Sequence, residues 1–169
     1  MSPVVLVEYD PRWPKAFAIE RDLLVRALGA VAIDIQHVGS TAVVKMVSKP
    51  ITDILVGVAK VPIAPAAVNA VCALGYVHKG ENGLPGHHYF SRLDRHVHVV
   101  EHDSISWVDT LLFRDFLRGH PEVALEYASL KRELARRHTR DDYTLAKAPF
   151  IIDVIARARA GVAKLAAKP

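Results

Sequence analysis

The sequence predicts an α/β fold of mixed topology, a small twisted sheet with helices packed largely on one side and at the C-terminal end. Three observations lead there. Apolar runs near residues 33–38, 51–58 and 95–101 have the alternation or density of strands. Segments of helical period separate them and take over after residue 104. The 169 residues, 51% of them hydrophobic, suffice for one substantial core and argue for a single domain over residues 1–169.

Residues 4–7 form a short apolar run, stopped by the turn-forming Asp10-Pro11-Arg12-Trp13-Pro14, with Trp13 placed to cover a core edge. From Lys15 onward Phe17, Leu23, Leu24, Ala27 and Leu28 recur at helical spacing, and Gly29 is a suitable stop. Ile33 and Ile35 then share one strand face, with Asp34 and Gln36 on the other. Residues 64–74 read as a helix capped by Gly75. Residues 76–79 and 87–93 read as strands on either side of a Gly/Pro-rich loop at 79–88. In Arg95-His-Val-His-Val-Val-Glu101, alternation puts Val97 and Val99 on a covered face and His96 with His98 on an open one. The rest is helical: Ser106 with Asp109 resembles a cap, Gly119-His120-Pro121 divides two helices, Asp141 or Asp142 can cap a last one, and Pro149 should kink or divide it.

Composition excludes several classes. A net charge of +4 is spread along the chain, so no block reads as a nucleic-acid tail and a small anion is the better ligand. Cys72 is the single cysteine, inside an Ala/Val/Leu run; it reads as a buried bystander and rules out an intrachain disulfide or a thiolate metal site. The first fourteen residues carry charge and proline without a long apolar core, which argues against a signal peptide or membrane span and for a cytoplasmic protein.

Chemistry concentrates between His37 and Val56. Gly39 ends an apolar strand and lets the main chain approach a ligand, while Ser40, Thr41 and the amides after them can donate to phosphate oxygens. An ordinary strand-to-helix N-cap is the alternative. Asp53 is the one charge in the next apolar strand, so it should meet a cation or look into a cleft, together with Ile51 and Leu55 on its face. Lys49 can reach the same place. A His-x-His pair beside Asp53 makes a mixed nitrogen and oxygen ligand set, with His98 favoured over Glu101 as the partner of Asp53 because alternation turns Glu101 away. Solvent-facing histidines are the alternative there.

Val38-Gly39-Ser40 followed by Asp53-Ile54-Leu55 resembles the signature of the nucleotidyltransferase superfamily, in which an apolar-Gly-Gly/Ser step precedes a strand carrying two acids. HVGSTAV, SKPITDILV, HVHVVE, LLFRDFLR, YASLKREL and YTLAKAPFI together resemble the GrpB family, over nearly the whole chain. That resemblance implies a nucleotidyltransferase-like fold and a nucleotide or other phosphorylated small molecule as ligand. It also implies a divalent metal, magnesium or manganese first and zinc as a further candidate. Related segments attached to dephospho-CoA kinases imply a protein partner such as a nucleotide-handling enzyme. Two departures stand out: Val44-Lys45 occupies the place of the family's Pro-Gly, and Leu55 stands where the superfamily's second acid belongs. Two-metal phosphoryl transfer needs clustered carboxylates, so Leu55 opens the alternative of a non-catalytic ligand-binding or interaction module.

The expected site therefore has Asp53, His98 and Glu101 as metal ligands and catalytic groups. Gly39, Ser40, Thr41 and Lys49 would bind phosphate, and Arg114, Lys131 and Lys147, which match the family wording, would form a cationic wall if the helical half folds against the open sheet face.

Overall fold

Alternating strands become a sheet only where their apolar faces find a partner layer, and here both faces do. A computed structural model describes residues 4–81, 83 and 85–166; Asn82 and Leu84 of the expected Gly/Pro-rich loop and the ends of the expected domain lie outside them. Five strands, β1 (Ala32–Val38), β2 (Thr52–Val58), β3 (Val77–His78), β4 (His88–Arg92) and β5 (Arg95–Glu101), form one mixed sheet in the order β1-β2-β5-β4-β3. Only β2 and β5 run parallel. The apolar run at residues 4–7 contributes a single bridge, Val7 with Ser48, rather than a strand.

The helices divide between the faces. α1 (Trp13–Leu28) and α2 (Pro65–Ala73) cover one, where Leu24, Ile35, Ile54, Val56, Phe90, Val97 and Val99 are buried together and Cys72 is a partly buried neighbour. The C-terminal helices α3 (Ile105–Gly119), α4 (Pro121–Arg137), α5 (Arg140–Ala146) and α6 (Ala148–Ala166) lie toward the other. There Trp107 of α3 packs on Val38, Leu55 and Val100, so the expected helical C-terminal part covers the second face. A third cluster joins the loop after β1, through Val43, Met46 and Val47, to Leu117, Val123, Tyr127 and Val154 of the helices. That loop fastens the helical half to the sheet.

Local rules explain the helix ends. The cap of α3 is Ser104, whose hydroxyl accepts from the Trp107 amide at 3.3 Å, two residues before the expected Ser106. Thr139 is the N-cap of α5 and its hydroxyl donates to Asp142 at 2.8 Å, so Asp141 and Asp142 lie inside the helix rather than capping it. Pro149 has no amide to continue α5, and the chain breaks at Lys147 before restarting as α6.

Candidate functional site

Strand register assembles the first wall of the site. In the parallel β2–β5 pair Asp53 lies opposite His96 and Leu55 opposite His98. Their side chains share the face away from α1 and α2. His96 Nδ1 is 3.2 Å and His98 Nε2 3.8 Å from Asp53 Oδ1, and the ligand atoms of the three residues lie within 4.8 Å of one another. On β4, Tyr89 pairs with His98, and just before that strand His87 Nε2 meets His98 Nδ1 at 3.1 Å. Burial works against the Asp53 charge, but the neighbouring His96 and His98 imidazoles outweigh it and hold the carboxyl below the ordinary carboxylate range. Burial and the neighbouring His98 push His87 below the ordinary histidine value.

The Gly39-Ser40 step sets the floor. Gly39 has φ +67°, and a Cβ there would overlap the Asp53 carboxylate and stand 3.0 Å from its Cβ and Cγ. Glycine is thus required twice, for its conformation and for letting Asp53 lie against the main chain. Ser40 begins a 3₁₀ turn, Ser40–Ala42, and its hydroxyl accepts from Lys131 Nζ at 2.8 Å.

Lysines from distant parts of the chain make the second wall. Lys131 on α4 is 1% exposed, donates to the Val47 carbonyl as well as to Ser40, and lies 4.9 Å from the Tyr127 ring centroid. Lys147, at the α5–α6 break, stands 4.5 Å from the Tyr143 centroid, with Lys49 on the same ring at 6.0 Å. Burial, then repulsion from Lys147 and Arg132, lowers Lys131 to about 7; burial and Lys49 lower Lys147 to about 8. The two walls enclose a cleft of about 870 Å³, a size suited to a small-molecule ligand.

Of the residues singled out in the sequence, Gly39, Ser40, Lys49, Asp53, His98, Lys131 and Lys147 line this one cleft. Three do not. Glu101 faces the other side of the sheet and accepts from the Val61 amide at 3.2 Å, as strict alternation dictates, so it is removed from the ligand set. Thr41 is buried and bonded to His37 Nε2 at 3.0 Å; His37 stacks on Phe17, and burial with the nearby Arg118 lowers it to about 4. Arg114 is a structural clamp, donating to Gln36 Oε1 at 2.8 Å and to the His37 carbonyl at 3.0 Å while paired with Asp115. Sequence reasoning put His96 on the right face without choosing it as a ligand, and passed over His87 and Tyr143. The His87-His88 doublet before an alternating strand was the available signal; nothing local marks Tyr143.

The family model described as GrpB protein matches residues 3–157. The protein YqkA of Bacillus subtilis is 38% identical over 139 residues, 80% of this chain, while the chain spans only 40% of YqkA's length. A crystal structure of conserved protein GrpB from Enterococcus faecalis superposes with a TM-score of 0.84 at 32% identity, covering 91% of this chain and 96% of that one. A dephospho-CoA kinase of Mycolicibacterium paratuberculosis is 27% identical over 188 residues, matching 93% of this chain to 46% of the kinase. Among the described residues no helix is long and apolar enough to cross a membrane. The sheet, the Gly-Ser step and these likenesses agree: the chain belongs to the GrpB family and has its nucleotidyltransferase-like fold.

Proposed function

We propose that the cleft binds a nucleotide or another phosphorylated small molecule together with one divalent metal, and acts on the bound phosphoryl group. The observation that carries this is charge: Lys49, Lys131 and Lys147 converge on a pocket in which Asp53 is the one carboxylate among the described lining residues. Cations gathered in a partly buried cleft repel one another unless an anion joins them, and a phosphate group supplies the charge they lack. Asp53 with His96 and His98 would hold the metal, which when bound polarises a phosphoryl oxygen. Ser40 and the lysines then orient the anion and offset charge that develops on it.

A second reading is favoured by Leu55. The place of the second acid is filled by an apolar side chain 2% exposed, packed with Val38, Val100 and Trp107, so no two-acid site exists at this position. Together with the likeness to a segment of a dephospho-CoA kinase, this supports an accessory module that binds ligand without turning it over.

Calorimetric titration with ATP and with inorganic phosphate, with and without divalent metal, tests both readings. Binding that falls at least about tenfold in Lys131→Met and in Lys147→Met supports the pocket. Release of pyrophosphate or phosphate from bound ATP separates enzyme from module. Wild-type affinity in both lysine variants would remove the proposed function.

A further inference from the structure

Hydrogen bonds around the histidines fix where the rings carry their protons. A carbonyl oxygen only accepts, so the 3.2 Å contact between His87 Nδ1 and the Glu81 carbonyl places a hydrogen on Nδ1. The His87 ring is 5% exposed, and its other nitrogen faces an imidazole, not an acid. That leaves Nε2 as the nitrogen that meets His98. His98 Nδ1 is 3.1 Å away in a ring only 6° from parallel, and by donating to His87 it would free its Nε2 for a metal. His98 Nε2 is thereby turned toward the Asp53 carboxylate, 3.8 Å from Oδ1.

A ring nitrogen and a carboxylate oxygen that face each other at this separation are placed to share a cation. The 3.8 Å from His98 Nε2 to Asp53 Oδ1 is too long for a hydrogen bond, and His96 Nδ1 is 3.2 Å from the same oxygen. Ligands about 2.1 Å from a tetrahedral ion stand about 3.4 Å apart, between these two separations. Magnesium takes oxygen ligands, whereas two imidazoles and a carboxylate suit zinc and its first-row neighbours and leave a coordination position open. A metal-binding histidine characteristically has its second nitrogen fixed by a partner, the part His87 plays here.

We propose that Asp53, His96 and His98 form a three-ligand site for a transition metal of the zinc class, opening on the lysine-lined cleft, and that His87, anchored by the Glu81 carbonyl, is a positioning residue that fixes the His98 tautomer. This rests on the reading that the cluster holds a metal, and it replaces magnesium or manganese as the first choice. In the chain, the register of β2 on β5 supplies the ligands and the turn before β4 supplies their support.

The test titrates the full chain, stripped with a chelator, with zinc and with magnesium, and records the visible spectrum of the cobalt(II) form. One zinc per chain, bound at least about 100-fold more tightly than magnesium, is expected for a nitrogen-rich set. His87→Phe should weaken zinc binding about 10–100-fold with an altered cobalt spectrum, while His87→Gln, whose amide oxygen can accept from His98, stays within a few-fold of wild type. Nitrogen-15 spectra of the metal-free chain should show His98 protonated at Nδ1. Tighter magnesium than zinc, the opposite tautomer, or unchanged zinc affinity in His87→Phe would overturn the inference. Should His87→Phe not fold, the wild-type zinc-to-magnesium ratio and the tautomer decide. Phosphate or ATP binding with magnesium alone overturns this inference and leaves the proposed function; zinc binding in a chain that ignores both anions does the reverse.

Discussion

The two walls of the cleft are built by different means. The strand wall sets Asp53, His96 and His98 by ladder register, on short side chains whose direction follows from the backbone. The helical wall sends Lys131 and Lys147 inward on long stems from α4 and the α5–α6 break, and holds their ammonium groups near Tyr127, Tyr143 and Ser40. Backbone geometry fixes the first wall. The second depends on how a whole helical layer docks, and it stores unfavourable burial that an anion would relieve. Substitutions behind the first wall should therefore act on stability, and substitutions in the second on binding.

The largest effect should come from the core behind the strand wall. Phe90 is fully buried between the sheet and the α1–α2 layer, so Phe90→Ala should destabilise the fold by about 3–5 kcal/mol, read by urea unfolding. Loss of only a few tenths would mean that the strand wall is not backed by a rigid core.

Lys131→Met should behave in the opposite way. It removes a buried charge whose proton affinity is already lowered, but strands the Ser40 hydroxyl and the Val47 carbonyl as acceptors. These effects offset, and stability should stay within about 1 kcal/mol of wild type while phosphate affinity drops. A fall as large as that of Phe90→Ala would make Lys131 a structural tie and not part of a binding wall.

What could be seen in the sequence follows the same division. Alternation in residues 95–101 separates His96 and His98 from Val97 and Val99, and one apolar strand isolates Asp53, because period-2 patterns carry their own geometry. The same arithmetic warned against Glu101. The helical wall was different: Arg114, Lys131 and Lys147 share the same family-wording signal, yet Arg114 clamps β1 and the two lysines line the cleft. Which way a helical cation points is decided by packing between residues some 90 positions apart in sequence, such as Lys131 with Ser40. His87 was hidden for a related reason, since its role depends on a neighbour across the β4–β5 pairing. The loop departure, by contrast, has a visible consequence: Lys45 adopts φ +64°, a left-handed conformation that a residue with a Cβ tolerates poorly.

The pH dependence most sharply separates the walls, because it reverses sign when ligand binds. In the free protein Lys131 titrates near 7 and Lys147 near 8, against 10.5 when unfolded. Below pH 7 both states are protonated and the burial penalty is fully present. Between about 7 and 10.5 the folded chain releases protons that the unfolded chain keeps, so stability should rise with pH, by at most about 1.4 kcal/mol per unit for each lysine. A phosphate group binds the protonated form, so binding at pH 8 should take up protons and affinity should fall as pH climbs from 7 to 9. Asp53, held below its ordinary range, stays ionised throughout and contributes no slope there. Urea unfolding at pH 7, 8 and 9 reads the first trend. Calorimetry of phosphate binding in two buffers of different ionisation enthalpy reads the second. Opposite slopes, both flattened in Lys131→Met, are the expected outcome; stability that falls with pH across this window would mean that the lysines are already neutralised by the protein, and that the helical wall is not waiting for an anion.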